Sequence, residues 1–111
     1  MYGVIDIGSN TIRLVVFDYD ETSIRRVLNK KITAGLAGYI NKDHEMRKRG
    51  VQVAVESLME LKTVTDQFSL DEIGVFATAP LRNIINTEEV LVEIEKETGF
   101  SVKVLSGQQE A

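Results

Sequence analysis

Cysteine is absent from the 111 residues, which excludes a disulfide framework and a thiolate metal site. Histidine occurs once, as His44, so a histidine metal site or a serine–histidine dyad would depend on that residue alone. Its neighbours Asp43, Glu45 and Arg47 read as the solvated start of a helix, and His44 is assigned to the surface. No apolar run approaches the length of a membrane span, and Met1 leads at once into a strand rather than into a signal-peptide pattern. A cytoplasmic protein without membrane attachment is expected. Aromatic residues are only 6% of the chain, and Tyr2, Tyr19 and Tyr39 are too scattered for a base-stacking platform. The net charge of −4 also disfavours non-specific nucleic-acid binding, so no nucleic-acid partner is expected. Internal repeats, low-complexity tracts and linkers are missing too.

Apolar residues make up 43% of the chain and charged residues 27%, the composition of one small domain with a real core. Val4–Ile7 and Ile12–Asp18 read as strands, and Ser23–Ile32 as a third beyond the polar turn Tyr19-Asp20-Glu21-Thr22. Strands joined by such short turns form an antiparallel meander. Ala34-Gly35-Leu36-Ala37-Gly38 reads as a flexible connection, with Asn41 or Asp43 as a helix cap. Val51, Ala54, Val55, Leu58, Leu61 and Val64 then recur at helical spacing, and Met59 is assigned to the core with them. Gly50 lies within or at the start of this helix, which allows a beginning later than Asp43. Ile73–Ala77 is a short buried strand that Pro80 keeps from continuing. Thr87 before Glu88-Glu89 reads as the capped start of a second helix, with Val90, Leu91, Val92 and Ile94 as its apolar face and Gly99 as its end. Val102–Leu105 is a last strand, broken at Ser106-Gly107, and Gln108–Ala111 has the character of a further helix start. The order β-β-β-α-β-α-β describes an α/β domain with a mixed sheet, its last two strands parallel to the first.

Ligands of open α/β sheets gather beyond the carboxyl ends of the parallel strands. This topology brings three loops, Asp6–Asn10, Thr78–Asn86 and Ser106–Glu110, to one rim. In the first, Gly8 lets the backbone come close to a phosphate and turn its N–H groups into one concavity. Ser9 and Asn10 add short donors, and Asp6 supplies a carboxylate for a divalent cation. The same residues also serve an ordinary hairpin turn. In the second loop Arg82 is a bidentate phosphate donor flanked by Thr78 and Asn86, or else a solvated arginine beside a helix-capping asparagine. In the third, Glu110 follows the sharp exit that Gly107 permits, where a glutamate on an exposed turn is the plain alternative.

In this order, Val4-Ile5-Asp6-Ile7-Gly8-Ser9-Asn10-Thr11-Ile12-Arg13-Leu14, Ala77-Thr78-Ala79-Pro80-Leu81-Arg82 and Ser106-Gly107-Gln108-Gln109-Glu110-Ala111 resemble the exopolyphosphatase/guanosine pentaphosphatase family of the actin-like ATPase superfamily. The resemblance implies a ribonuclease-H-like fold of strand order 3-2-1-4-5. It implies hydrolysis of a terminal phosphoanhydride of inorganic polyphosphate or guanosine pentaphosphate, with Mg2+ as cofactor. Gly8, Ser9 and Asn10 then form the first phosphate loop, with Thr78, Arg82 and Asn86 as further phosphate contacts. Asp6 serves the magnesium ion, and Glu110 is the catalytic base that orients and deprotonates the attacking water. Ala79-Pro80 stands where Ser-Ala is common in the family, and Gln109 where an acid is common.

By the same resemblance, residues 1–111 are the N-terminal part of the first of two actin-like domains. The second domain, carrying another phosphate loop, lies beyond this chain. The piece alone is expected to be inactive and, with part of its sheet uncovered, prone to self-association as a homodimer. The alternatives are a sugar or acetate kinase of the actin-like superfamily and a non-catalytic module that binds phosphate or a nucleotide. Met46-Arg47-Lys48-Arg49 reads as a solvated helix end rather than a polyphosphate track, and Lys30-Lys31 as protection of an edge strand.

Overall fold

A computed structural model describes residues 1–106; Gly107 to Ala111 lie outside the described residues. Strands β1 (Tyr2–Ile7), β2 (Ile12–Tyr19) and β3 (Ile24–Ile32) form the meander, followed by a 3₁₀ turn over Leu36–Tyr39. Helix α1 (Lys48–Thr65) crosses to β4 (Glu72–Ala77). The short helix α2 (Ala79–Arg82) and then α3 (Thr87–Thr98) lead to β5 (Val102–Val104). The sheet order is β3-β2-β1-β4-β5. β1 pairs antiparallel to β2 and parallel to β4, and β4 is parallel to β5. This is the mixed sheet expected from the sequence, in the expected strand order.

Strand alternation sorts the side chains onto two faces. Ile5, Ile7, Ile12, Leu14, Val16, Val75, Ala77 and Val102 are buried in one core with Ala54, Leu58 and Leu61 of α1 and Val90 and Ile94 of α3. Both crossovers step in the same direction across the sheet, so their common handedness puts α1 and α3 on the same side, in contact with each other. The alternate residues Val4, Asp6, Arg13, Val15, Phe17, Phe76 and Lys103 occupy the other face and keep some exposure. Tyr2 packs there between Phe17 and Tyr19, with ring centroids 5.5 and 5.4 Å away. β3 is an edge, as the Lys30-Lys31 pair implies.

Helix α1 begins at Lys48, and neither Asn41 nor Asp43 caps it; Arg47 holds that position without a side-chain bond. Asn41 is used one step earlier: its Oδ1 accepts the N–H groups of Asp43 and Glu45 at 2.9 and 3.0 Å and closes a compact loop. His44 takes the left-handed conformation, φ 62°, inside this loop, so a helix cannot pass through it. Thr87 is the first residue of α3, yet it caps nothing there; its hydroxyl turns back to the carbonyls of Leu81 and Ile84 at 2.7 and 2.9 Å. Met59 and Val92, assigned to apolar faces, are exposed at 41% and 65%. Met46, placed in a solvated basic cluster, is buried while Arg47, Lys48 and Arg49 are exposed.

Candidate functional site at the carboxyl edge of the sheet

The first loop is a tight turn in which Gly8 N–H donates to the Thr11 carbonyl at 2.9 Å. A Cβ on Gly8 would stand 3.1 Å from that same oxygen, so a larger residue would push the turn open. The glycine N–H is therefore spent inside the turn instead of pointing into a concavity. The candidate donors are its successors. The carbonyls of Ser9 and Asn10 accept N–H groups from Ala37 and Gly35 at 3.0 and 2.9 Å, the latter donated from a left-handed backbone, φ 61°. In a planar trans peptide the C=O and the following N–H point in opposite directions. The N–H groups of Asn10 and Thr11 thus point away from the Gly35–Ala37 segment, and among the described residues neither donates to a backbone carbonyl. The Gly35–Ala37 segment, which the sequence marked only as flexible, is what aims them.

β1, β4 and β5 end side by side, and their exits are laced together. Thr78 N–H donates to the Ile7 carbonyl at 3.2 Å, and Leu105 N–H to the Ala77 carbonyl at 2.8 Å. The Thr78 hydroxyl lies 3.5 Å from the Ile7 oxygen, a long contact. Pro80 sits in the first turn of α2, where its missing N–H costs nothing and its fixed φ suits a helix. Pro80 and Leu81 are buried, which anchors this short helix and carries Arg82 to the edge. Arg82 is half-buried, and its Nη1 donates to the Leu105 carbonyl at 3.2 Å. Ser106 is exposed at the start of the third loop; Glu110 lies outside the described residues.

Asn86 lies at the entry to α3. Its Oδ1 accepts the Met46 N–H at 3.0 Å and its Nδ2 donates to the Met46 carbonyl at 3.2 Å. With Ile85 N–H donating to the His44 carbonyl at 2.8 Å, the amide clamps the loop before α1 onto the start of α3. Residues 40 positions apart leave no local sequence signal of such a clamp.

Asp6 is exposed on the sheet face opposite α1 and α3, paired in register with Arg13 of β2 and Phe76 of β4. Among the described residues no group of three or more histidine, aspartate or glutamate side chains gathers to hold a metal ion. A single carboxylate still fits Mg2+, which keeps several waters and takes its other ligands from phosphate. No helix among the described residues is long and apolar enough to cross a membrane.

Comparison with known proteins places this geometry in context. The chain is 31% identical over 110 residues to exopolyphosphatase 1 of Mycobacterium tuberculosis, covering 98% of this chain and 32% of that protein. It is 27% identical over 111 residues to the guanosine-5'-triphosphate,3'-diphosphate pyrophosphatase of Aeromonas hydrophila, covering all of this chain and 22% of that protein. The chain thus spans less than a third of the length of these curated relatives. The crystal structure of the Aquifex aeolicus member of the Ppx/GppA family superposes with a TM-score of 0.91 at 25% identity, over 98% of this chain and 36% of that one. The model of the Ppx/GppA phosphatase family matches residues 15–111, a span that includes the second and third loops. The chain belongs to the Ppx/GppA phosphatase family.

Proposed function

We propose that this chain supplies one wall of the active cleft of a phosphohydrolase that removes the terminal phosphate of inorganic polyphosphate or guanosine pentaphosphate. The other wall comes from further chain in a second actin-like domain. The observation that carries the reading is the lacing of three strand exits at one edge, Ile7 to Thr78, Ala77 to Leu105 and Leu105 to Arg82. It supports a single polyanion site that the Asn10 and Thr11 amides and the Arg82 guanidinium share.

In this reading the N–H groups of Asn10 and Thr11 and the Ser9 hydroxyl hold phosphate oxygens against Gly8, with Thr78 beside them. Arg82 balances negative charge from a fixed position. Asp6 holds Mg2+, which when bound spreads charge away from the phosphate oxygens. Glu110 orients a water and takes its proton as the oxygen adds to the terminal phosphorus. The bond from that phosphorus to the bridging oxygen breaks, orthophosphate leaves, and the shortened chain keeps the negative oxygen. Positioning and charge neutralisation supply most of the acceleration in such transfers. Asn86, with both ends of its amide on Met46, holds the loop in place and is assigned no phosphate contact. The sheet face opposite α1 and α3 offers the remaining chain a surface to pack on.

The test is orthophosphate release by the full-length protein from each substrate, with and without magnesium. Release from at least one, dependent on magnesium, supports the reading. Binding of either substrate without release would make the protein a non-catalytic module.

A further inference from the structure

Residues 35–46 run from the first loop of the candidate site to the start of α3, bonded at both ends. At one end the Gly35 and Ala37 N–H groups donate to the Asn10 and Ser9 carbonyls at 2.9 and 3.0 Å. At the other, the Asn86 amide accepts the Met46 N–H at 3.0 Å and donates to the Met46 carbonyl at 3.2 Å. In between, Gly38 N–H donates to the Gly35 carbonyl at 3.0 Å, and Arg47 N–H to the Tyr39 carbonyl at 2.8 Å. Ile40 and Met46 form an antiparallel bridge. Leu36 is fully buried and Met46 nearly so, which fixes the segment to the core as well as along its own length.

Asn86 holds the position just before the first residue of α3, yet its side chain makes no capping bond. An asparagine there ordinarily accepts a backbone N–H of the first helical turn. Here both ends of the amide go to Met46, and the helix forgoes that bond. Gly35 is suited to its place by conformation alone: its φ is 61°, and a Cβ would meet nothing within 4 Å. Among the described residues the Ser9 and Asn10 carbonyls receive no other backbone N–H. We propose that Asn86 is a positioning residue of the phosphate site, acting through Met46 and residues 35–46 on the peptides that carry the Asn10 and Thr11 N–H groups. The brace keeps the first loop in step with the loop that carries Arg82. The identity of the anion, polyphosphate, rests on the hydrolase reading above.

The test uses the full-length protein and its Asn86→Ala, Gly35→Ala and Gly35→Asn forms. Alanine at position 35 is strained in the left-handed conformation, whereas asparagine tolerates it. Without substrate, amide hydrogen exchange at Gly35 and Ala37 is expected to be about tenfold faster in Asn86→Ala, ahead of any change in β1 and β4. With polyphosphate and magnesium, KM is expected to rise about tenfold in Asn86→Ala and Gly35→Ala and less in Gly35→Asn, with kcat kept within about threefold. A side chain that only stabilised the fold would lower kcat through the folded fraction and leave KM alone. Combining the two alanine changes should raise KM no more than the larger single change does, because both loosen one link. Unchanged exchange at Gly35 and Ala37, a rise shared equally by β1 and β4, unchanged KM, equal effects of alanine and asparagine at position 35, or multiplied single effects would each overturn the proposal. Wild-type protein that releases no orthophosphate would overturn the hydrolase reading instead, and the exchange rates would still decide whether Asn86 orders the first loop.

Discussion

Arg82 donates from Nη1 to the Leu105 carbonyl at 3.2 Å, so the cation assigned to phosphate is tied to the strand exit that leads toward Glu110. One side chain thereby ties the second loop to the exit of β5. Replacing it removes both a charge and a brace. In the full-length protein, Arg82→Ala is expected to lower kcat/KM for polyphosphate by about 100-fold or more, and Arg82→Lys by less, because lysine keeps the charge without the planar fork. Steady-state kinetics on both variants check this; equal activity of the alanine variant would remove Arg82 from the site.

Gly50 lies in the first turn of α1, buried against Tyr39 and Met46. A Cβ there would come within 2.6 Å of the Tyr39 Cβ. Alanine is the better helix former by roughly 1 kcal/mol, yet Gly50→Ala is expected to destabilise the fold by about 1–3 kcal/mol through overpacking. Urea denaturation gives the sign directly. A stabilised variant would mean that the loop before α1 gives way freely.

Lys62 of α1 reaches across to the end of α3. Its Nζ donates to the Thr98 carbonyl at 2.9 Å and lies 5.5 Å from the Phe100 ring centroid. Lys62→Met keeps most of the stem and removes the charge, so a loss of about 1–2 kcal/mol is expected from the helix-end bond and the ring contact together. Amide exchange should rise first in the last turn of α3. Unchanged exchange there would leave Lys62 without that role.

At the β2–β3 turn, Asp20 accepts the N–H groups of Thr22 and Ser23 at 2.8 and 2.9 Å and the Thr22 hydroxyl at 2.9 Å. The Thr22 N–H, then its hydroxyl and the Ser23 N–H, hold the carboxyl below the ordinary aspartate value. A lowered folded value means the carboxylate stabilises the turn fully above its unfolded value and loses that effect as pH falls through the folded one. Thermal melts of the protein and of Asp20→Ala should differ at neutral pH and converge in strong acid. A difference that grows on acidification would contradict this.

The sheet was legible because alternation and helical spacing report burial directly: Ile5, Ile7, Ile12, Leu14 and Val16 lie where their pattern put them. The crossovers followed from handedness. The start of α1 was less legible, since it depends on His44 turning left-handed inside a loop that Asn41 closes. Met59 and Val92 fit a helical stripe but face outward, as only one layer of the sheet backs these helices. At the candidate site, the residue types near Gly8 and Arg82 were readable. Which way those peptides turn was not, because Gly35 and Ala37 decide it from some 25 residues away through bonds to Asn10 and Ser9. The Asn86 clamp on Met46 is long-range in the same way.

The central claim is that the third loop brings a carboxylate base to the phosphate held by the other two. Orthophosphate release from polyphosphate by the full-length protein and by its Glu110→Gln form, in magnesium, tests it most directly. The account predicts that kcat falls by at least about 100-fold with KM changed by no more than about threefold. A Glu110→Gln protein that turns over at the normal rate would contradict it.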